Sequence, residues 1–268
     1  IFQTRLVKVK LSGYYTNEVS LGNLKHHVFI YRLYDKWKLY YRSFCTGSII
    51  SENRVLTSAH CFYTNRKRLK RSLDKIRVVG GILHTVVQQP PTHEVQQWRN
   101  AKRVYSQRFF RFPAFNLAVV EINKQWTFNQ FVNKIPYSQK NYDFDGVCMG
   151  VILKSTRSWS KDKNLFTTDL KIRNQRSCEQ KLLRSCWQYY CTEYDSALAS
   201  TETEGGGLIC YGTGDPAENE ESGVLVGVTS LINRDLPSLH VRIGLFHKWV
   251  SDTASIFKLN IIIPCISI

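Results

Sequence analysis

Short apolar, β-branched and aromatic runs alternate with polar breaks along most of the chain, at 27–34, 38–44, 47–50, 54–58, 76–79, 101–105 and 117–122. Runs of this length bounded by turn-forming residues read as strands, and their close succession is the rhythm of an antiparallel barrel or sandwich. A second series follows at 147–153, 165–172, 207–211, 224–231 and 238–243. Residues 125–137, with Ile135-Pro136, read as a connector between the two series. Helical periodicity is confined to 178–184 and to 245–257, where Phe246, Val250 and Ala254 recur every four residues. The pattern predicts an all-β chain of two similar barrels, about 24–124 and 138–244, closed by a C-terminal helix at 245–258 and followed by an apolar tail at 259–268.

A chain of 268 residues with a hydrophobic fraction of 43% can bury one large core or two smaller ones. No run of about 18 apolar residues occurs, so no membrane span is expected, and the tail is too short to supply one. The chain opens at Ile1 without a charged n-region and apolar h-region, which leaves a secretory signal either removed or absent. Against 21 acidic residues stand 37 basic ones, and the formal charge of +16 favours anionic partners without naming one. Among the eight Cys there is no Cys-x-x-Cys pair, and the closest spacing is Cys186 to Cys191. No His doublet lies near it, since His26 and His27 fall in a strand-like run of the other half. Disulfides are therefore favoured over a metal site, and no cofactor is expected.

The segment Phe44-Cys45-Thr46-Gly47-Ser48-Ile49-Ile50, followed by Arg54-Val55-Leu56-Thr57-Ser58-Ala59-His60-Cys61, resembles the histidine-bearing signature of the chymotrypsin and trypsin family of serine proteases. The resemblance continues through Ile76-Arg77-Val78-Val79-Gly80-Gly81 and Phe115-Asn116-Leu117-Ala118-Val119-Val120, the latter similar to the family's Asp-Ile-Ala-Leu-Leu strand. Cys148-Met149-Gly150 stands at the start of the second barrel, and Cys191-Thr192-Glu193-Tyr194 resembles the family's Cys-Ala-Gly-Tyr. Glu202-Thr203-Glu204-Gly205-Gly206-Gly207-Leu208-Ile209-Cys210 lies where Gly-Asp-Ser-Gly-Gly-Pro-Leu-Val-Cys is expected, and Gly227-Val228-Thr229-Ser230-Leu231 resembles the substrate-binding strand. The resemblance implies two antiparallel six-stranded β-barrels and a C-terminal α-helix. It implies disulfides Cys45 with Cys61, Cys148 with Cys210 and Cys178 with Cys191, leaving Cys186 and Cys265 to pair with each other, pair with another chain or stay free.

Acyl transfer in this family requires a hydroxyl nucleophile, an imidazole base, a carboxylate that fixes the imidazole tautomer, and two backbone N–H groups for the oxyanion. Carried over, only His60 remains: Glu204 stands at the nucleophile position and Asn116 at the carboxylate position. Thr203 replaces the acid that anchors a freed N-terminal amine, and Glu202 replaces the glycine of the oxyanion loop. Leu198 sits at the base of the specificity pocket, with Ser230 and Leu231 on its wall. Arg5-Leu6-Val7-Lys8-Val9 is similar to an activation site in which the two glycines have become Lys8 and Val9.

Two readings of Glu204 stand side by side: a carboxylate in solvent, or one that faces His60 as an ion pair. Glu202, Glu204 and His60 are three ligand types from two loops with no second-shell partner in view, and this is weak support for a metal. The basic run Arg66, Lys67, Arg68, Lys70 and Arg71 is either solvated surface or an anion site. Arg108-Phe109-Phe110-Arg111-Phe112 reads as a surface loop with one packed aromatic in preference to a platform for nucleic acid. The expectation is a secreted, extracellular, noncatalytic homologue that binds a protein such as a protease, its substrate or an inhibitor. The alternatives are a residual endopeptidase, for which Ser200 is a nearby hydroxyl, and a basic protein that binds sulfated glycans or another polyanion.

Overall fold

In the computed structural model the described residues are all except 1–7, 12–13, 38, 89–94, 142, 144–145, 156–161, 194–200, 234 and 256–268. Leu198, Ser200, Cys265 and the Arg5-Leu6 bond lie outside them. Strands β1 (Lys8–Leu11) and β2 (Tyr14–Glu18) open the chain as a hairpin. Then come β3 (His27–Asp35), β4 (Tyr40–Ser51), β5 (Arg54–Thr57), β6 (Ile76–Gly80), β7 (Val86–Gln88), β8 (Gln97–Ser106) and β9 (Ala118–Ile122). They pair in the order β3-β6-β8-β9-β5-β4, the β3–β4 pairing closes a six-stranded barrel, and β7 attaches to β4.

The second half holds β10 (Val147–Lys154), β11 (Asn164–Arg173), α1 (Gln175–Leu182), β12 (Tyr189–Thr192), β13 (Gly207–Cys210), β14 (Val224–Leu231), β15 (Ser238–Arg242) and α2 (His247–Ser255). The order β11-β10-β13-β14-β15-β12 is closed by β11–β12 into a second six-stranded antiparallel barrel. The opening hairpin joins this barrel, with β2 on β11. Helix α1 starts where the Asn174 side chain accepts from the Ser177 N–H at 2.8 Å, and it ends at Leu183, which takes a left-handed φ of 50°.

Inward-facing side chains explain why the strands close. Val28, Ile30, Ile49, Val55, Ile76, Val78 and Val120 fill the first barrel; Ile152, Leu170, Leu208, Val224 and Val226 fill the second. Each such burial stabilises by about 1.5–3 kcal/mol before the entropy of ordering is counted. Ile50, Leu56, Leu117 and Val119 of the first barrel meet Ile209, Leu225, Val228 and Phe246 in one shared cluster, so the two barrels are joined by apolar contact.

The sequence reading differs from the structure at several elements. The runs 38–44 and 47–50 are one strand, β4, whose polar Thr46 and Ser48 are buried because the strand is covered on both faces. Strands β1, β2, β7 and β12 have no counterpart in the predicted pattern. No helix among the described residues is long and apolar enough to cross a membrane.

Candidate functional site

His60 sits in a single helical turn, Ala59–Cys61, that follows β5, and the Cys45–Cys61 disulfide ties the turn to β4. Asn116, just before β9, is fully buried and takes hold of this turn. Its Oδ1 accepts from the His60 backbone N–H at 2.8 Å and from the Ser58 hydroxyl at 2.9 Å. Its Nδ2 donates to Ser230 Oγ at 2.9 Å, and Ser230 in turn donates to the Pro113 carbonyl at 3.1 Å. Asn116 thus satisfies its polar atoms while bracing both barrels, since Ser230 belongs to β14.

The imidazole itself faces elsewhere. His60 Nδ1 is 2.8 Å from Glu204 Oε2, with the carboxylate largely buried and the ring about one-third exposed, at 11% and 35% of their side-chain surfaces. Of the two readings left open for Glu204, the ion-pair geometry is the one observed. Phe112 covers the other side of the ring, its centroid 4.2 Å from that of His60.

Glu204 is presented by a helical turn, Thr201–Thr203, and a short glycine run that approaches the first barrel closely. The Glu204 carbonyl accepts from the Thr46 N–H at 2.9 Å. Gly205 follows with φ +87°, and a Cβ there would come within 2.2 Å of both the Thr46 carbonyl and Thr57 Oγ1, so only glycine fits. Thr203 is buried, and its carbonyl accepts from Thr46 Oγ1 at 3.2 Å. Glu202 turns away from His60. Its carboxylate meets Arg42 of β4 at 2.8 Å and Lys163, just before β11, at 3.0 Å, so one acid clamps a residue from each barrel. The three ligand types Glu202, Glu204 and His60 therefore do not converge on one point.

The basic run is divided by the structure. The Lys70 ammonium donates to the His60 carbonyl at 2.6 Å, the Arg71 guanidinium donates to the Cys61 carbonyl at 3.0 Å, and Lys67 donates to the Arg108 carbonyl. Burial holds the Lys70 pKa below its ordinary value, Arg71 adds to the effect, and Glu204 opposes it. Three of the five cations thus hold the histidine turn and the neighbouring loop, and Arg66 and Arg68 remain directed at solvent. In the 108–112 segment Phe110 is the buried aromatic and Phe109 is 63% exposed.

Disulfides join Cys148 to Cys210 and Cys178 to Cys191, and with Cys45–Cys61 these are the pairs that the resemblance implies. Cys186 is a buried thiol whose Sγ lies 3.0 Å from that of Cys178. Leu231 is partly buried at the end of β14, beside the fully buried Ser230. Sequence reasoning did not find Arg42, Lys163 or Phe112 as parts of the site. The first two carry no motif, and Phe112 was one aromatic among several.

Two six-stranded antiparallel barrels followed by a short C-terminal helix, with a histidine turn and a glycine-rich loop meeting between them, define the chymotrypsin fold. The Trypsin family model matches residues 26–250, and the chain belongs to that family. It is similar to kallikrein 1-related peptidase b3 of Mus musculus, 23% identical over 238 residues that cover 85% of this chain and 84% of that protein. It is also similar to trypsin-2 of Salmo salar, 21% identical over 222 residues that cover 80% of this chain and 86% of that protein.

Proposed function

We propose that the chain is a noncatalytic member of the trypsin family, secreted, that acts by binding another protein. The observation that carries this reading is the 2.8 Å contact between His60 Nδ1 and Glu204. In a working triad Nδ1 faces the orienting carboxylate, and the other ring nitrogen faces a serine hydroxyl. Here the orienting position holds Asn116, whose oxygen accepts from the backbone N–H of His60, and Nδ1 has turned to Glu204. Glu204 stands at the nucleophile position of the family motif, and a carboxylate cannot form the ester acyl-enzyme. Three disulfides fit an oxidising compartment. The ancestral cleft and its loops are the natural contact surface for a protease, a protease substrate or an inhibitor.

The test is labelling with a fluorophosphonate probe beside an active trypsin relative. The expected result is no adduct on this chain at probe concentrations that saturate the relative. A stoichiometric adduct, on Ser200 or on any other hydroxyl, would establish a working nucleophile and sink the proposal.

A further inference from the structure

Two loops of the first barrel carry basic residues with no acid between them. Residues 59–73 contain Arg66, Lys67, Arg68, Lys70 and Arg71, residues 105–117 contain Arg108 and Arg111, and neither stretch has an Asp or Glu. The loops are fastened to each other. Asn65 Oδ1 accepts from the Phe112 N–H at 2.9 Å, and the Lys67 ammonium donates to the Arg108 carbonyl. Each is also ordered internally: Thr64 and Arg68 exchange a backbone bond of 2.9 Å, and Arg111 and Ala114 exchange bonds of 3.0 and 2.7 Å. Arg66, Arg68, Arg108 and Arg111 are all exposed and form no ion pair among the described residues.

All four are arginines, whose planar guanidinium presents parallel N–H donors matched to a carboxylate or another oxyanion. Between two of them in the chain stands Phe109, 63% exposed, with the Arg108 guanidinium 5.6 Å from the centre of its ring. Phe109 continues into an aromatic row: its centroid is 5.8 Å from that of Phe115, which lies 6.1 Å from the 44%-exposed Trp187. Exposed arginines on two fastened loops, with the exposed Phe109 among them, match a ligand that alternates carboxylates with apolar side chains. An acidic polypeptide has both, and a sulfated glycan has only the charge.

We propose that this two-loop surface docks an acidic segment of a protein partner, its carboxylates on Arg66, Arg68, Arg108 and Arg111 and an apolar side chain on Phe109. The proposal rests on the protein-binding reading given above and names the chemistry of the partner. The hydrogen bonds that join and order the loops leave the freedom of the arginine side chains as the main conformational cost of docking. The net charge of +16 steers an acidic segment toward the molecule, and the arginines fix where it stops.

The probe is a fluorescein-labelled twelve-residue peptide that alternates Glu and Asp around a central Phe, titrated by anisotropy at physiological salt. Simultaneous R66A, R68A, R108A and R111A is expected to weaken binding by a hundredfold or more, taking about tenfold for each charge-assisted contact with some non-additivity. F109A is expected to weaken it by about tenfold. Removing four exposed lysines elsewhere, K36A, K124A, K134A and K171A, lowers the net charge equally and should change affinity by no more than about threefold. An equal loss in that control would show unspecific attraction and overturn the proposal, as would a peptide affinity indifferent to the four arginines. A heparin oligosaccharide that binds tighter than the peptide, depends on the arginines and ignores F109A would assign the surface to sulfated glycans instead. Fluorophosphonate labelling would remove the noncatalytic reading without altering any of these affinities, so the two failures are distinguishable.

Discussion

Restoring Glu204→Ser together with Asn116→Asp is expected to leave the protein without appreciable peptidase activity. The double variant supplies a hydroxyl and a carboxylate, but the surroundings of both were built for other side chains. Asn116 is fully buried and donates through Nδ2 to Ser230, whose carbonyl lies 3.4 Å away. A carboxylate there loses this donor and places an acceptor against an acceptor, a cost of about 1–3 kcal/mol in stability. The oxyanion loop stays in its present form, because Glu202 remains bound to Arg42 and Lys163 and Thr203 offers no acid to a freed N-terminus. Lacking one oxyanion donor forfeits roughly 10² to 10³ in turnover, about 3–4 kcal/mol in the barrier. Phe112, lying on the His60 ring, narrows what is left of the approach. The assay is hydrolysis of a panel of basic and apolar peptide esters before and after limited trypsin treatment. Turnover approaching that of an ordinary family member would show that the loop is already organised for catalysis and refute the reasoning.

Acid should destabilise the fold through three histidines held neutral by burial: His26, with its pKa lowered to about 4, and His27 and His240, each lowered to about 3. Above pH ~6.5 they are neutral folded and unfolded, and below it only the unfolded chain takes up the protons, so stability falls from about pH 6.5 toward 3 by up to about 1.4 kcal/mol per pH unit per histidine. Urea unfolding from pH 7 to 4 should show this slope, reduced by about one proton in His240→Gln; a flat profile would contradict it. Glu121 is buried against Arg54 at 3.7 Å and Lys102 at 3.1 Å, and Glu121→Gln should cost about 3–5 kcal/mol in the same assay because it removes the carboxylate buried beside the interior Arg54 charge. Cys191→Ser should leave a Cys178–Cys186 bridge, since those sulfurs are 3.0 Å apart; peptide mapping that finds both alkylated as free thiols would refute it.

Much of this architecture is legible in the alternation of apolar and polar positions, because each barrel has one wet face and one dry one. The reading broke down where that alternation stops reporting burial. The pattern splits β4 into 38–44 and 47–50, yet Thr46 and Ser48 are buried against the glycine-rich loop of the other barrel. Strand β12 holds only Tyr189–Thr192, four buried residues with no alternation to mark them as a strand. The histidine turn was readable to the residue from its motif. The facing of Glu204 toward His60 was not, because the two lie 144 positions apart and a motif fixes positions without fixing rotamers. In the basic run the sequence could not separate Lys70 and Arg71, which cap backbone carbonyls, from Arg66 and Arg68, which remain in solvent.

The clamp that Glu202 makes on Arg42 and Lys163 couples the shape of one loop to the meeting of the two barrels. Trypsin-like precursors are latent because their equivalent loop waits for an amine that exists only after a peptide bond is cut. In this chain Thr203 offers no acid for such an amine, and the neighbouring Glu202 finds its two cations on the barrels themselves, one on each. The loop is therefore held through contacts that exist only where the two barrels meet, so its shape is tied to their docking.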